Sequence, residues 1–274
     1  PLWSRGLGDV YKRQSIGNQN TINGTLATLS EFPDRQLTGE DVIWSGDDET
    51  GFLSSHRLLT MGTHLGNGYF GKATGKRFVI RAIADCSAIN NQINDEWLIR
   101  DTAGIVKQLG MDPKKFAIDL IEREGGPEKC IKPFSPSIDV KGPYTGSGND
   151  NEWGQKLGEI LSGIMQKNYS IIQKEYDRAV QTEHPGSTTV HSWADTEFLW
   201  MGLRSSFPNA TFKIEHVIGR EDSMLSPRAA VRWSLSGKHE GWGMFDEPSG
   251  AEVYIMGFTH AEFCLLYTSD AADE

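Results

Sequence analysis

GTHLGNGYFGKATGKRF, residues 62–78, and NDEWLIRDTAGIVKQLG, residues 94–110, are the stretches that decide the fold. The first is too rich in glycine for a regular strand pair. It reads as a long connection between strands, with glycines where φ is positive or another group comes close. It is also written twice. GTHLGNGYFGKATG (62–75) aligns without a gap on GKHEGWGMFDEPSG (237–250), 175 residues later. Gly62, His64, Gly66, Gly68, Phe70 and Gly75 fall on Gly237, His239, Gly241, Gly243, Phe245 and Gly250. The register reaches back to FPDRQLTGEDVI (32–43) and FPNATFKIEHVI (207–218). A period of this length marks a duplicated domain, since solenoid repeats are about 20–50 residues long.

Both ends of the chain read as foreign. DVYKRQ (9–14) and CLLYTS (264–269) can be encoded by opposite strands of one DNA element, GATGTGTATAAGAGACAG. That element resembles the end of a transposase-based sequencing adapter. Residues 1–14 and 264–274 are therefore set aside as translated adapter, as an expression scar would be. On this reading the first domain has lost its start, and the second is cut at Phe263.

The remaining length suits two domains of ordinary size. Net charge is −10 over the whole chain and −9 without the two ends. An acidic chain without basic runs argues against nucleic acid or an anionic membrane as partner. Only Cys86 and Cys130 lie between the ends. So few thiols point to a reducing, cytoplasmic setting and not to a disulfide scaffold. No apolar run approaches the ~18 residues of a membrane span.

Along the chain, Val42–Trp44, Leu58–Gly62 and Arg77–Cys86 read as strands, and Ile89–Asn94 as a hairpin turn into a strand at Glu96–Arg100. Thr102–Leu109 reads as a helix capped by Gly110. Asp112-Pro113 opens another, with the aspartate as N-cap and the proline as first residue. Residues 125–150 collect prolines and glycines and read as a linker between domain one (15–124) and domain two (151–263). Domain two opens with an apolar stripe, Leu157, Ile160, Leu161, Ile164 and Met165, continued by Tyr169, Ile172, Tyr176 and Val180. That stripe predicts a long helix ended by Pro185-Gly186, and Phe198–Ser206 predicts a second, shorter one. Helices first and an antiparallel sheet after is an α+β arrangement.

The glycine–histidine loop, a strand, and then Glu96, Trp97, Asp101, Gly104, Gln108, Leu109 and Gly110 resemble the SnoaL-like polyketide cyclase family of the nuclear-transport-factor-2-like superfamily. The resemblance covers about Phe32–Gly110 and about Tyr169–Phe263. It implies two tandem cone-shaped α+β barrels, each a curved antiparallel sheet packed on helices around a deep pocket, and together a pseudo-dimer. It also implies a small-molecule ligand, no cofactor and no metal, with a carboxylate as acid and base in intramolecular aldol chemistry. Asp101 matches that carboxylate.

The residues themselves leave two readings of Asp101 open. In an apolar pocket its pKa would rise toward the working pH, as acid/base chemistry needs, and alternation along EWLIRD puts Trp97 and Ile99 on its side. Equally, Asp101 stands where a helix begins and can cap it, or serve in both roles at once. His64 and His239 can donate to a ligand oxygen at a pocket mouth, or tie the loop to the sheet. Arg81, four residues from Asp85 on one strand face, can stabilise an enolate or form a charge pair on the solvent side. Asp95 and Glu96 read as a solvated strand edge. GTHLGNGYFG lacks the ending of a phosphate loop, and His64 has no ligand partner at metal spacing. The expected function is a cofactor-independent acid/base enzyme (cyclase, isomerase or dehydratase) acting on a carbonyl-bearing small molecule in domain one. A non-catalytic ligand-binding or protein-interaction module of the same fold is the alternative.

Overall fold

The computed structural model describes residues 3–7, 13–131 and 134–264. The chain divides into two compact units. The first takes the chain through Val42, then Asp47–Tyr144 and Glu183–Thr189; the second takes Ile43–Gly46, Thr145–Thr182 and the chain from Val190 onward. Both are α+β, with antiparallel strand pairs in each.

In the first unit, β1 (Trp3–Leu7), β2 (Arg13–Ile16), β3 (Gln36–Asp47), β4 (Gly51–Thr63), β5 (Arg77–Ile89) and β6 (Gln92–Arg100) form a sheet of order β2-β1-β6-β5-β4-β3. β1 and the first two residues of β2 come from the segment set aside as adapter. The rest of that segment, residues 1–2 and 8–12, lies outside the described residues, as does all of the C-terminal one beyond Cys264. β4 and β5 pair along their whole length, from Phe52 opposite Ala88 to Thr63 opposite Arg77. β5 alternates as a half-buried strand should: Phe78, Ile80, Ala82 and Ala84 are buried, while Val79 and Arg81 face solvent. Asn90 (φ 51°) and Asn91 (φ 57°) make the tight turn into β6, in the left-handed region that asparagine tolerates.

Three helices complete the unit: α1 (Asn18–Glu31), α2 (Thr102–Gln108) and α3 (Pro113–Arg123). The Asp112 side chain accepts from Lys115 N at α3's start, as expected. Phe32, Phe70, Phe78, Ile80, Ile105, Val106 and Leu109 form the core, joining α1's end, the glycine-rich loop, β5 and α2. The expected solvated edge at Asp95 is corrected: Asp95 is fully buried and accepts from Tyr144 N at 3.0 Å. Tyr144 is itself fully buried, so the expected linker contributes to this unit's packing.

The second unit holds β7 (Gly146–Ser147), α4 (Glu152–Met165), α5 (Ser170–Glu175), α6 (Trp193–Ser206), β10 (Thr211–Arg220), β11 (Arg228–Lys238) and β12 (Glu252–Glu262). Between α5 and α6 runs a hairpin of β8 (Gln181–His184) and β9 (Thr188–His191). The sheet order is β12-β11-β10-β7. Asn151 caps α4 by accepting from Trp153 N, and the stripe Leu157, Ile160, Leu161, Ile164 and Met165 packs with Ile172, Leu203, Phe207, Val231 and Leu235. The long helix expected from that stripe is broken. Lys167 takes φ 69°, only α5 follows, and the segment read as the helix's end is the β8–β9 hairpin. Apolar spacing continued past a point where the backbone had already turned.

Elements recur at the sequence offset. α1 and α6 end 175 residues apart, and β3, β4 and β5 match β10, β11 and β12 in order. The loops match in detail as well. A Gly68–Gly71 bridge answers to Gly243–Asp246, and the Gly75 N to His64 O bond answers to Gly250 N to His239 O.

Candidate functional site

The first unit contains a cavity of about 280 Å³. Phe32, Phe70, Phe78, Ile105 and Leu120 make its apolar wall; Glu31, Arg35, Arg100, Arg123 and Glu124 bring charge to it. α1, the glycine-rich loop, β5, β6, α2 and α3 all contribute. An apolar cavity with a few convergent polar groups is the usual form of a small-molecule site.

The two carboxylates are occupied by the protein. Glu31, 3% exposed, closes α1. Its Oε1 accepts from Phe70 N at 2.8 Å and meets His64 Nε2 at 3.1 Å; its Oε2 accepts from Tyr69 N at 3.0 Å. Gly68 makes room for it, since a Cβ there would lie 2.6 Å from Oε2. Glu124 accepts from Ile131 N at 2.9 Å.

Two of the three cations are held by neutral partners. Arg35 donates from Nε to Thr60 Oγ1 at 3.2 Å, and makes no ion pair among the described residues. Burial pulls its pKa down. Arg100 feels the same cause more strongly and is pushed down to about 10. Arg123 donates to Tyr69 O at 3.1 Å at the exposed rim. Two half-buried guanidinium groups on an apolar wall can receive a ligand oxygen that carries negative charge.

None of the candidate site residues expected from sequence (Asp101, His64, Trp97, Ile99, Arg81 and His239) lines this cavity. Asp101 caps α2. Oδ1 accepts from Gly104 N at 2.9 Å and from Gly186 N at 2.7 Å; Oδ2 accepts from Ser187 N at 2.7 Å. The glycine of the motif follows from this: a Cβ on Gly104 would sit 2.3 Å from Asp101 Oδ2 and 2.4 Å from Ser187 Oγ. Trp97 is buried edge-on against Phe134, and Ile99 pairs across the sheet with Ile83. The cavity lies on the other side of β6, where alternation places Arg100.

Arg81 is corrected as a pocket residue. It faces solvent and pairs with Glu40 at 2.8 Å and with Glu183 at 3.4 Å, while Asp85 is buried against Ser55. His64 is corrected as a pocket-mouth donor: it is fully buried between Glu31 and Thr74. His239 in the second unit bonds through Nδ1 to Ser249, and its buried Nε2 has no partner. Among the described residues no group of three or more histidines, cysteines and acids is placed to hold a metal. No helix there is long and apolar enough to cross a membrane.

Sequence reasoning missed Glu31, Arg35, Arg100 and Arg123. A signal existed for Glu31: it ends the helix just before the repeat begins, at a position where the second copy has Ser206.

No protein-family model matches the chain, and no curated protein does. Solved structures do. AclR of Streptomyces galilaeus, described as a candidate hydroxylase, is 16% identical over 41% of this chain and 68% of its own, with a TM-score of 0.34. A candidate SnoaL-like polyketide cyclase of Jannaschia sp. CCS1 is 12% identical over 41% of this chain and 72% of its own, TM-score 0.35. IdmH of Streptomyces antibioticus, a candidate polyketide cyclase, is 24% identical over 34% of this chain and 63% of its own, TM-score 0.30. The chain thus spans less than two thirds of IdmH. At scores this low the likeness decides neither fold nor reaction.

Proposed function

We propose that the first unit is a SnoaL-like ligand-binding module that takes a small carbonyl-bearing molecule into the Glu31–Arg100 cavity. One observation carries the reading: Arg35 and Arg100 stand half-buried on an apolar wall of Phe32, Phe70 and Phe78. The rings accept the body of the ligand and the guanidinium groups accept its carbonyl or enolate oxygen. The acid/base reading keeps the motif match of Asp101, but loses its geometry. Its two oxygens are taken by three backbone N–H donors, and the residue is not on the cavity wall. Glu31, which is on the wall, is likewise held by three donors. The recurrence of helix, strands and loop at one offset supports reading the chain as two copies of one α+β unit.

The test is titration of the full chain with an aryl 1,3-diketone, followed by NMR. Binding is expected, with affinity falling about tenfold in Arg35→Gln and in Arg100→Met, the usual effect of losing one charge-assisted bond. Undiminished binding in both variants would overturn the site. Deuterium exchange at the diketone α-carbon, catalysed by the chain and lost in Asp101→Asn, would overturn the non-catalytic reading in favour of the enzyme.

A further inference from the structure

A second cavity, about 720 Å³, lies in the other unit, between the ends of α4 and α6 and the start of β10. Its walls include Met165, Phe212 and Ile214, with Lys167, Arg204 and Lys213 bringing charge and no carboxylate among them. That volume suits a small organic molecule.

Arg204, in the last turn of α6, is 6% exposed. Nη1 donates to Phe207 O at 2.8 Å and Ala210 O at 3.1 Å, and Nη2 donates to Pro208 O at 3.1 Å. Its Nε–H is buried and has no acceptor among the described residues. No ion pair reaches the group among the described residues. Three carbonyls take three of the four terminal N–H groups but leave the charge uncompensated, which is costly at this depth. Lys167 stands at the C-terminal turn of α4, exposed, and also makes no ion pair among the described residues. Lys213 differs, since Glu215 holds it at 2.6 Å. The carbonyl ends of α4 and α6 each offer about half a negative charge. With Glu215 they offset two of the three cations, leaving about one net positive charge on a cavity whose apolar part is Met165, Phe212 and Ile214.

We infer that this cavity is an anion-binding site of the second unit, taking an organic carboxylate whose apolar body packs on Met165, Phe212 and Ile214. The site belongs to this unit alone, because the position matching Arg204 in the first copy is Leu29. It is independent of the first cavity.

The experiment is calorimetric titration of the full chain carrying Arg35→Gln, which weakens the first cavity and isolates the second. The probes are 2-naphthoate, its neutral amide, and inorganic phosphate. Naphthoate is expected to bind, the amide about tenfold more weakly, and phosphate more weakly still. Arg204→Gln and Lys167→Glu are each expected to lower naphthoate affinity about tenfold. Lys167 bonds to nothing that its replacement would break, so that variant keeps the test valid if Arg204→Gln fails to fold. Absence of naphthoate binding, equal binding of the amide, or full affinity in Lys167→Glu would overturn the anion site. Phosphate binding as tightly as naphthoate would overturn the role of the apolar wall.

Discussion

Glu31 and His64 meet at 3.1 Å inside the first unit, and their counterparts Ser206 and His239 make no such bond. The surroundings are the same. The Nδ1 of each histidine faces a hydroxyl ten residues on, at 3.2 Å in both copies, and each ring lies 5.4 Å from the phenylalanine that opens the repeat. One copy fills the space beneath the loop with a carboxylate; the other leaves a buried imidazole nitrogen without a partner.

Glu31 therefore supports the loop. Glu31→Gln turns one acceptor oxygen into an amide that faces N–H donors. A loss of about 2–4 kcal/mol is expected for the first unit, as for a broken buried charged bond. Urea unfolding followed by fluorescence would measure it. A change within about 0.5 kcal/mol would mean that the three bonds do not hold the loop.

Ser206→Glu is the complementary change. It would give His239 Nε2 an acceptor, while Met244 N and Phe245 N already have Gly202 O and Ser206 Oγ, and a gain of about 1–2 kcal/mol is expected, seen as a higher melting temperature. The closeness of the loop to α6 opposes this, since a Cβ on Gly243 would lie 2.3 Å from Gly202 O and 2.4 Å from Ser206 Oγ. A lower melting temperature would mean that the second copy has closed over the space.

Asp101→Asn removes one acceptor from a cap that also holds the turn at Gly186 and Ser187. A loss of about 1–2 kcal/mol is expected, with diketone affinity in the first cavity unchanged. Loss of ligand affinity without loss of stability would return Asp101 to the site.

His216 is 1% exposed, and burial, helped by Arg232, pushes its pKa down to about 3. The folded state holds the ring neutral, while the unfolded chain protonates it near pH 6.5. Below that pH the unfolded state binds a proton that the folded state refuses. Stability thus falls with pH by up to about 1.4 kcal/mol per unit until about pH 3, and this group adds no dependence above 6.5. Comparing urea unfolding of the native chain with that of His216→Gln between pH 7 and 4 isolates the effect. Parallel pH profiles would refute it.

The sequence by itself determined what is local. Asp112-Pro113 starts a helix because an acceptor and a fixed φ are written side by side. Arg77–Cys86 forms a strand because its apolar residues alternate. The glycines of the glycine–histidine loops mark matching close approaches: a Cβ on Gly66 would lie 2.0 Å from Ser30 O, and one on Gly241 1.9 Å from Ser205 O. Even the cap at Asp101 was legible as one of two roles. Tertiary structure decided which polar groups meet. Glu31 is sixty-nine positions from Arg100, and nothing in either neighbourhood announces that α1 and β6 share a cavity wall. The break at Lys167 and the burial of Asp95 were hidden for the same reason: apolar spacing and strand position describe a face, but not what is packed against it. Chemistry at a site depends on distance and burial, and for groups far apart in the chain those exist only once it has folded.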